Sequence, residues 1–270
     1  MDFSVNNFNL RLRSIRLGEL ILAIIIASFI SIILATFIPI YAKYDDLFVL
    51  TMHILLLIFF IYALRGTVGL KDNFRDILKP SNKKEILYLL VLNYFFALML
   101  IAVISVFTAV LISLSPGSSV TVEFSSADIG PIYYFLDLLT GIIGAPIIEE
   151  LIFRGVIFTR LRPRLGIIWA MIISSALFAL LHDPSGMISA FVFGLCMCVI
   201  YLKTDNIIIP MIIHCLNNTL SYGTDLLQLN NFLFIYPLSV VMLIASIIAF
   251  VGIIIYLSNG VKQARSEGNK

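Results

Sequence analysis

Residues 145–159 read APIIEELIFRGVIFT, an apolar stretch that contains Glu149, Glu150 and Arg154. The apolar run extends over residues 131–159, which at 1.5 Å of rise per residue is long enough to cross a bilayer core of about 30 Å. An ionisable side chain at the centre of such a span costs about 2.5–3.5 kcal/mol of insertion free energy. The three charges must therefore face a protein interior or a water-filled cavity, which makes this span the candidate for a functional site.

The composition of the whole chain agrees with a membrane location for this stretch. Of the 270 residues, 60% are hydrophobic and 13% are charged, whereas an average soluble domain has about 45–50% apolar and about 25% charged residues. A soluble globule of this size could not remove so much apolar surface from water. The composition excludes a soluble domain, a disordered chain, a collagen-like fibre and a nucleic-acid-binding protein, and it predicts an integral membrane protein.

Eight apolar runs are long enough, or nearly long enough, to cross the bilayer. They cover residues 17–42, 48–64, 86–114, 131–159, 165–181, 186–202, 207–222 and 231–257. We predict an all-α bundle of about eight transmembrane helices that forms one transmembrane domain at 17–257. Residues 1–16 are expected to form a cytoplasmic segment, either an amphipathic interfacial helix or a flexible tail, and residues 258–270 a cytoplasmic tail.

The basic residues predict the orientation of the bundle. With eight spans, 16 of the 18 Lys and Arg residues fall on one side, Lys43 falls on the other, and Arg154 lies inside a span. Because cytoplasmic segments are enriched in Lys and Arg, we expect both termini in the cytoplasm and the loop at 115–130 outside. The first apolar stretch is too long for a cleaved signal peptide, and we expect a prokaryotic plasma membrane.

The three cysteines, Cys196, Cys198 and Cys215, all lie inside apolar runs. An odd, clustered set does not form a disulfide framework. We expect buried free thiols.

The charged residues of the fourth span divide into a pair and a single carboxylate. Glu150 and Arg154 are four residues apart, so they share a helix face and are expected to form a buried ion pair that orients helices. Glu149 lies about 100° round the helix and has no partner at that spacing. This carboxylate is the one expected to be free for chemistry.

Two further pairs with the same spacing occur on neighbouring spans, Phe178 with His182 and His214 with Asn218. A single histidine in a helix is usually an ordinary core residue, which is our expectation for His53. Two histidines that each have a polar or aromatic residue one turn away, together with a free glutamate, favour a shared site.

These groups suggest two chemical routes for activating a water molecule. In one, Glu149 is a general base assisted by His182; in the other, Glu149, His182 and His214 hold zinc with a fourth position open for water. Asn218 and His214 could donate hydrogen bonds to a developing oxyanion. Intramembrane Glu and His also occur in transporters and proton relays, although the sequence shows no internal repeat.

The order and spacing of these residues resemble three motifs of a known family. The motifs are Glu149-Glu150-x-x-x-Arg154, Phe178-x-x-x-His182 and His214-x-x-x-Asn218. They resemble those of the CPBP family, the CAAX-protease and bacteriocin-processing group that is also called Abi and includes the type II CAAX prenyl endopeptidases. The resemblance covers residues 138–222, where we expect the catalytic core.

The resemblance implies an eight-helix intramembrane endopeptidase with a cavity open to the cytosol. It implies that Glu149 and His182 activate water and that His214 and Asn218 stabilise the oxyanion, with Glu150, Arg154 and Phe178 in support. It favours the metal-free route, hence no cofactor, and a membrane-associated peptide or protein as substrate, prenylated, lipidated or leader-bearing. A catalytically silent bacteriocin-immunity or scaffold protein of the same fold is the alternative.

Straight helices would place the site residues at different depths. Counted from the basic turns, Glu149 lies about 16 Å deep, His214 about 12 Å and His182 about 27 Å. A tilted helix, or a break near Gly141, Gly144 or Pro146, would be needed to bring them together.

Overall fold

A computed structural model of the chain describes residues 1–114, 131–229 and 238–268. The predicted outward loop at 115–130, the beginning of the last predicted span and the last two residues lie outside these ranges. The described residues are predominantly helical and contain no β-strand, only an isolated bridge between Asn7 and Val68. The predicted all-α class is confirmed for this part of the chain.

Twelve α-helices and two π-helical stretches make up the described chain. The α-helices are α1 Phe8–Ser14, α2 Leu17–Phe37, α3 Ile40–Lys43, α4 Asp46–Leu64, α5 Leu70–Asp76, α6 Pro80–Ser113, α7 Pro131–Asp137, α8 Ala145–Glu150, α9 Thr159–Ala179, α10 Met187–Thr204, α11 Ile208–Leu226 and α12 Leu238–Gly268. The π-helical stretch Leu138–Gly144 joins α7 to α8, and the stretch Leu151–Phe158 joins α8 to α9.

Five of these helices, α2, α4, α6, α10 and α12, are long and apolar enough to cross a membrane, which indicates an integral membrane protein. The predicted count of eight is not confirmed. In α9, Pro163 and the left-handed backbone of Gly166 (φ 77°) interrupt the helix, so that only 13 residues of the helix follow, too few for an upright span. The path from α7 into α9 is divided by the π-helical stretches, and α11 carries His214, Asn217 and Asn218 among its apolar residues.

Contacts between distant segments bring the basic residues to one end of the bundle, which we call the basic end. Arg160 Nε donates to the carbonyl of Ile15 at 2.7 Å. Ion pairs join Arg13 to Asp205 and Lys203 to Glu85. The opposite end, which we call the far end, carries Lys43, whose carbonyl accepts from the Tyr133 hydroxyl at 2.5 Å.

The interior next to the basic end is closely packed. The ideal Cβ position at Gly155 lies 2.8 Å from a methyl carbon of Leu12, so only a glycine lets α1 approach the second π-helical stretch this closely. Eight side chains in this layer have no exposed surface: Leu12, Ile15, Val156, Phe158, Val199, Ile200, Ile207 and Ile209. We call these eight residues the floor.

Candidate active site

The ion pair expected from the spacing of Glu150 and Arg154 is present. Arg154 Nη1 donates to Glu150 Oε1 at 3.0 Å, and both side chains are completely buried. The same oxygen is 3.1 Å from Nδ1 of His214, which lies 64 residues further along the chain on α11. The Arg154 guanidinium is also 4.4 Å from the ring centroid of Phe178. We call Glu150, Arg154 and His214 the ionic cluster.

Small residues on α9 and α10 make room for the Arg154 guanidinium. A Cβ atom at Gly194 would lie 3.0 Å from Arg154 Nη2 and 2.9 Å from the Cβ of Ser175, both closer than ordinary packing allows. The Ser174 hydroxyl donates to the carbonyl of Phe153 at 2.8 Å. This bond ties α9 to the π-helical stretch that carries Arg154.

His214 lies between the two adjacent carboxylates. Because a carboxylate only accepts hydrogen bonds, the contact with Glu150 places a hydrogen on Nδ1 of His214 and orients the ring. The other ring nitrogen, Nε2, is 3.7 Å from Glu149 Oε2. The Glu149 side chain is 17% exposed, whereas that of Glu150 is fully buried. Glu149 thus has a neighbour on another helix that its own spacing could not reveal.

His182 is oriented by the end of α9. The carbonyl of Phe178, which also accepts from the Leu181 N–H at 3.2 Å, lies 3.1 Å from Nδ1 of His182. A carbonyl only accepts, so Nδ1 carries the hydrogen and Nε2 is left with a lone pair. The Phe178 ring contacts both histidines, with centroid distances of 4.7 Å to His182 and 5.5 Å to His214. Because the Phe178 ring contacts both histidines, the expected mismatch in depth between His182 and His214 is absent.

Asn218 is oriented by an unusual backbone carbonyl. The carbonyl of Gly141 would accept from the N–H of Ala145 in an α-helix and from that of residue 146 in a π-helix. The Ala145 N–H instead donates to the carbonyl of Thr140, and Pro146 has no N–H. The carbonyl of Gly141 therefore has no backbone donor from its own helix. Asn218 Nδ2 donates to this carbonyl at 2.8 Å. The residues at which a break was expected therefore hold the Asn218 amide in place.

His182, His214 and Asn218 line one cavity of about 170 Å³. Glu149 is not among the lining residues and approaches them through its contact with His214. No hydrogen bond joins Glu149 to His182 within the described chain. The structure thus brings three predicted site residues to one cavity and the fourth to its edge.

Four polar side chains of the cavity wall were not predicted: Asn93, Ser189, Asn217 and Ser221. Asn93 on α6 is 4% exposed and lies in an otherwise apolar span. Because burying an unpaired amide in such a span is costly, the sequence could have indicated Asn93 as a site residue. Asn217 and Ser221 lie on the helix that carries His214 and Asn218, Ser189 lies on α10, and none of the three carried a separate signal.

His53, expected to be an ordinary core residue, packs against the helix that carries Glu149. Its Nδ1 lies 2.8 Å from the ideal Cβ position of Gly144, so a side chain at 144 would displace the imidazole. The three cysteines are free thiols, with Cys196 and Cys198 buried and Cys215 half-buried.

The zinc alternative requires three side chains that converge on one point. Among the described His, Cys, Asp and Glu residues, no group of three lies close enough to hold a metal ion. Glu149, His182 and His214 therefore do not form such a group in this structure.

The comparisons with known proteins concern the same part of the chain. Residues 131–220, about a third of the chain, match the family model of Rce1-like type II CAAX prenyl endopeptidases. The chain is also 31% identical over 97 residues to a Bacillus subtilis (strain 168) protein named "Putative membrane peptidase YdiL". That alignment covers 36% of this chain and 39% of the relative. No solved structure matches.

The matched segment contains all seven predicted site residues, from Glu149 to Asn218. The resemblance indicated by the three motifs is confirmed over this segment, and the matches support a membrane protease. Residues 131–220 of this chain are similar to the Rce1-like type II CAAX prenyl endopeptidases.

Proposed function

We propose that this protein is a metal-independent intramembrane endopeptidase that cleaves a membrane-associated peptide or protein. The observation that carries the proposal is the cavity shared by His182, His214 and Asn218, with the Glu149 carboxylate 3.7 Å from His214. We further propose that it works in a prokaryotic plasma membrane with both termini in the cytoplasm, as the distribution of Lys and Arg predicts.

Water activation is assigned to Glu149 and His182. Glu149 takes a proton from a water molecule bound between the two side chains, and Nε2 of His182 accepts the second water hydrogen bond. The water oxygen attacks the peptide carbonyl carbon, the C–N bond breaks, and Glu149 returns the proton to the leaving nitrogen. General-base help of this kind contributes about 10²–10⁴-fold to the rate.

Stabilisation of the oxyanion is assigned to Asn218 and His214. One N–H of the Asn218 amide is held by Gly141, which leaves the second N–H for the substrate oxygen. His214 becomes a donor at Nε2 when it carries hydrogen on both ring nitrogens. In that form its charge, with those of Glu149, Glu150 and Arg154, sums to zero, which suits a site of low dielectric constant.

The ionic cluster has a supporting role in this proposal. Glu150 holds His214 by the 3.1 Å contact, and Arg154 compensates the buried Glu150 charge. A buried pair of this kind is tolerated only because both partners are present. Neither Glu150 nor Arg154 lines the cavity.

The deciding experiment is cleavage of quenched fluorescent peptides with an acyl anchor by the purified protein in nanodiscs. We expect Glu149→Gln and His182→Ala each to lose at least about 100-fold in rate while their thermal unfolding matches the wild type. The matched control is Asp183→Asn, which removes an exposed carboxylate next to His182 and should retain full activity.

A chelator arm tests metal independence in the same assay. Cleavage should persist after treatment with 1,10-phenanthroline and EDTA, and loss that zinc restores would contradict the metal-free route. Full cleavage by purified Glu149→Gln would overturn the assignment of the base. Binding of peptides without cleavage by the wild type would favour the silent scaffold alternative.

A further inference from the structure

A second cavity lies at the basic end and shares no lining residue with the cavity of the candidate active site. It has a volume of about 850 Å³ and lies between α1, the bend of α9 and the ends of α10 and α12. Its charged lining consists of four basic residues and one acidic residue: Arg13, Arg162, Lys203, Arg265 and Asp205. We call this cavity the basic pocket. The excess of cations in its wall indicates a site for an anion.

Two glycines in the wall account for the shape of the basic pocket. The left-handed backbone of Gly166 bends α9 after its charged first turns. An ideal Cβ atom at Gly260 would overlap a methyl group of Val199, one of the floor residues, so a glycine is needed for α12 to lie this close to α10. The pocket therefore lies between a bent helix and a closely packed pair of helices.

The four cations of the basic pocket are not equally engaged. Arg13 and Lys203 each form an ion pair with a carboxylate of the basic end. The guanidinium groups of Arg162 and Arg265 make no ion pair or hydrogen bond to any described residue, and both side chains are exposed. A guanidinium presents parallel N–H donors that match the oxygens of a phosphate. The pocket thus offers two uncommitted phosphate-binding groups.

The basic pocket lies where three helices change from apolar to charged sequence. In α9 the three arginines before residue 166 are followed by IIWAMII at 167–173, and in α10 the run LCMCVIYL at 195–202 is followed by a lysine. In α12 the apolar run ends at residue 257, five residues before Lys262. Such a change marks the boundary between the hydrocarbon core and the headgroup layer of a bilayer. A ligand of this pocket is therefore expected to come from the headgroup layer.

The remaining wall of the basic pocket is apolar. It includes Ile168 and Trp169, both of which are exposed, and tryptophan is enriched at the level of lipid headgroups. The lining thus combines cations with apolar side chains. A phospholipid with a net negative charge has the same combination, a phosphate joined to acyl chains.

We infer that the basic pocket binds an anionic phospholipid. The lipid phosphate contacts Arg162 and Arg265, and an acyl chain lies along Ile168 and Trp169. Basic pockets between transmembrane helices bind anionic headgroups in this way. The inference depends neither on the proposed peptidase function nor on the side of the membrane that the basic end faces.

The test uses the intrinsic fluorescence of Trp169, which is the only tryptophan of the chain. The full chain is reconstituted into phosphatidylcholine vesicles that contain a fixed fraction of phosphatidylglycerol with brominated acyl chains, which quench a neighbouring indole. Reference vesicles contain the same fraction of brominated phosphatidylcholine. The ratio of the two quenching curves gives the preference of the pocket for the anionic lipid.

Two double variants with the same change of net charge separate the pocket from the surface around it. Arg162→Gln with Arg265→Gln removes the two uncommitted cations of the pocket. Arg164→Gln with Lys262→Gln is the matched control, because these residues are exposed on the same two helices and do not line the pocket. Thermal unfolding in pure phosphatidylcholine vesicles should be the same for both double variants and the wild type.

We expect the wild type to prefer brominated phosphatidylglycerol at least about tenfold. The pocket variant should lower this preference at least about fivefold, the contribution of about one Lys or Arg beside an anionic lipid surface, and the matched control should stay within about twofold of the wild type. Equal quenching of the wild type by the two brominated lipids would overturn the inference. An equal fall in both double variants would assign the preference to the general charge of the basic end and overturn the site.

A last arm distinguishes a lipid headgroup from free phosphate as the source of the anion. Inorganic phosphate should relieve the quenching no more than sodium chloride of the same ionic strength, because the acyl chains hold the lipid in the pocket. Complete relief by phosphate but not by chloride would identify a free anion as the ligand and overturn the lipid assignment.

Discussion

Glu149 and Glu150 are adjacent in the chain, yet they belong to regions of opposite character. Glu150 sits in the ionic cluster, where its Oε1 accepts hydrogen bonds from both Arg154 and His214 and no side-chain surface is exposed. Glu149 lies at the edge of the cavity that His182 and Asn218 line, 3.7 Å from His214, and we call Glu149, His182 and Asn218 the cavity groups. His182 and Asn218 each have one side-chain nitrogen in a hydrogen bond with a backbone carbonyl, and both residues line the cavity.

This difference indicates a division of labour between packing and chemistry. A buried charge can be kept only with its partners in place, so Glu150 and Arg154 are expected to govern stability, whereas His214, which also lines the cavity, is expected to affect both stability and rate. A group that handles protons or a developing charge needs an uncommitted atom, so the cavity groups are expected to govern rate. Each of the following substitutions tests this separation.

The largest expected effect on stability is that of Arg154→Ala. It leaves the Glu150 carboxylate buried without its cation, which costs about 3–5 kcal/mol of unfolding free energy. The measurement is reversible unfolding by SDS in mixed micelles. The control is Arg162→Ala on the exposed surface of the basic end, expected within about 0.5 kcal/mol of the wild type. Equal losses of unfolding free energy in Arg154→Ala and Arg162→Ala would contradict the assignment of stability to the ionic cluster.

Asn218→Ala tests the other region and should act on rate more than on stability. Loss of an oxyanion donor lowers kcat by about 10²–10³-fold, whereas loss of the bond to Gly141 costs only about 0.5–1.5 kcal/mol of unfolding free energy. Steady-state cleavage and SDS unfolding measure the two quantities. Thr219→Ala, at the next and exposed position, should leave both unchanged. A reduced stability with an unchanged kcat would assign Asn218 to the ionic cluster instead.

Gly194→Ala tests the packing around the ionic cluster without removing a charge. The added methyl would press on Arg154 and Ser175, and overpacking of this kind costs about 1–3 kcal/mol. Gly223→Ala is the matched control, since nothing lies within 4 Å of its ideal Cβ and alanine favours a helix by about 0.5–1 kcal/mol. Equal changes of the same sign in thermal unfolding would contradict the tight fit at Gly194.

The smallest expected effect is that of Ser174→Ala, which removes the hydrogen bond to the carbonyl of Phe153. The loss should be about 0.5–1.5 kcal/mol of unfolding free energy, with kcat close to that of the wild type. Ser266→Ala, whose hydroxyl bonds an exposed carbonyl within one helix, serves as the control. A large fall in kcat with little loss of stability would mean that the π-helical stretch positions the cavity groups directly.

Features that depend on near neighbours in the chain could be predicted from the sequence. The Glu150–Arg154 pair follows from helical spacing, and the apolar runs predict the helical class. The count of eight spans is not confirmed, because hydropathy does not register the left-handed backbone of Gly166 or the shortness of the helix that follows.

Contacts between helices could not be obtained in this way. Nothing in the spacing of Glu149 or Glu150 indicates that His214, on another helix, lies between them. Asn218 can donate to the carbonyl of Gly141 because Pro146 has no N–H for that carbonyl. The sequence shows the proline, but it does not show that α11 lies beside Gly141.

The packing of α1 has a consequence for biosynthesis. Ile15 accepts its hydrogen bond from Arg160, a residue that the ribosome adds 145 positions later. At about 5–20 residues per second, this amino-terminal helix waits roughly 7–30 s for that partner. During translation the nascent chain therefore exposes Leu12 and Ile15 to chaperones and to the insertion machinery, and a bulky fusion at the amino terminus should slow maturation more than one at the carboxyl terminus.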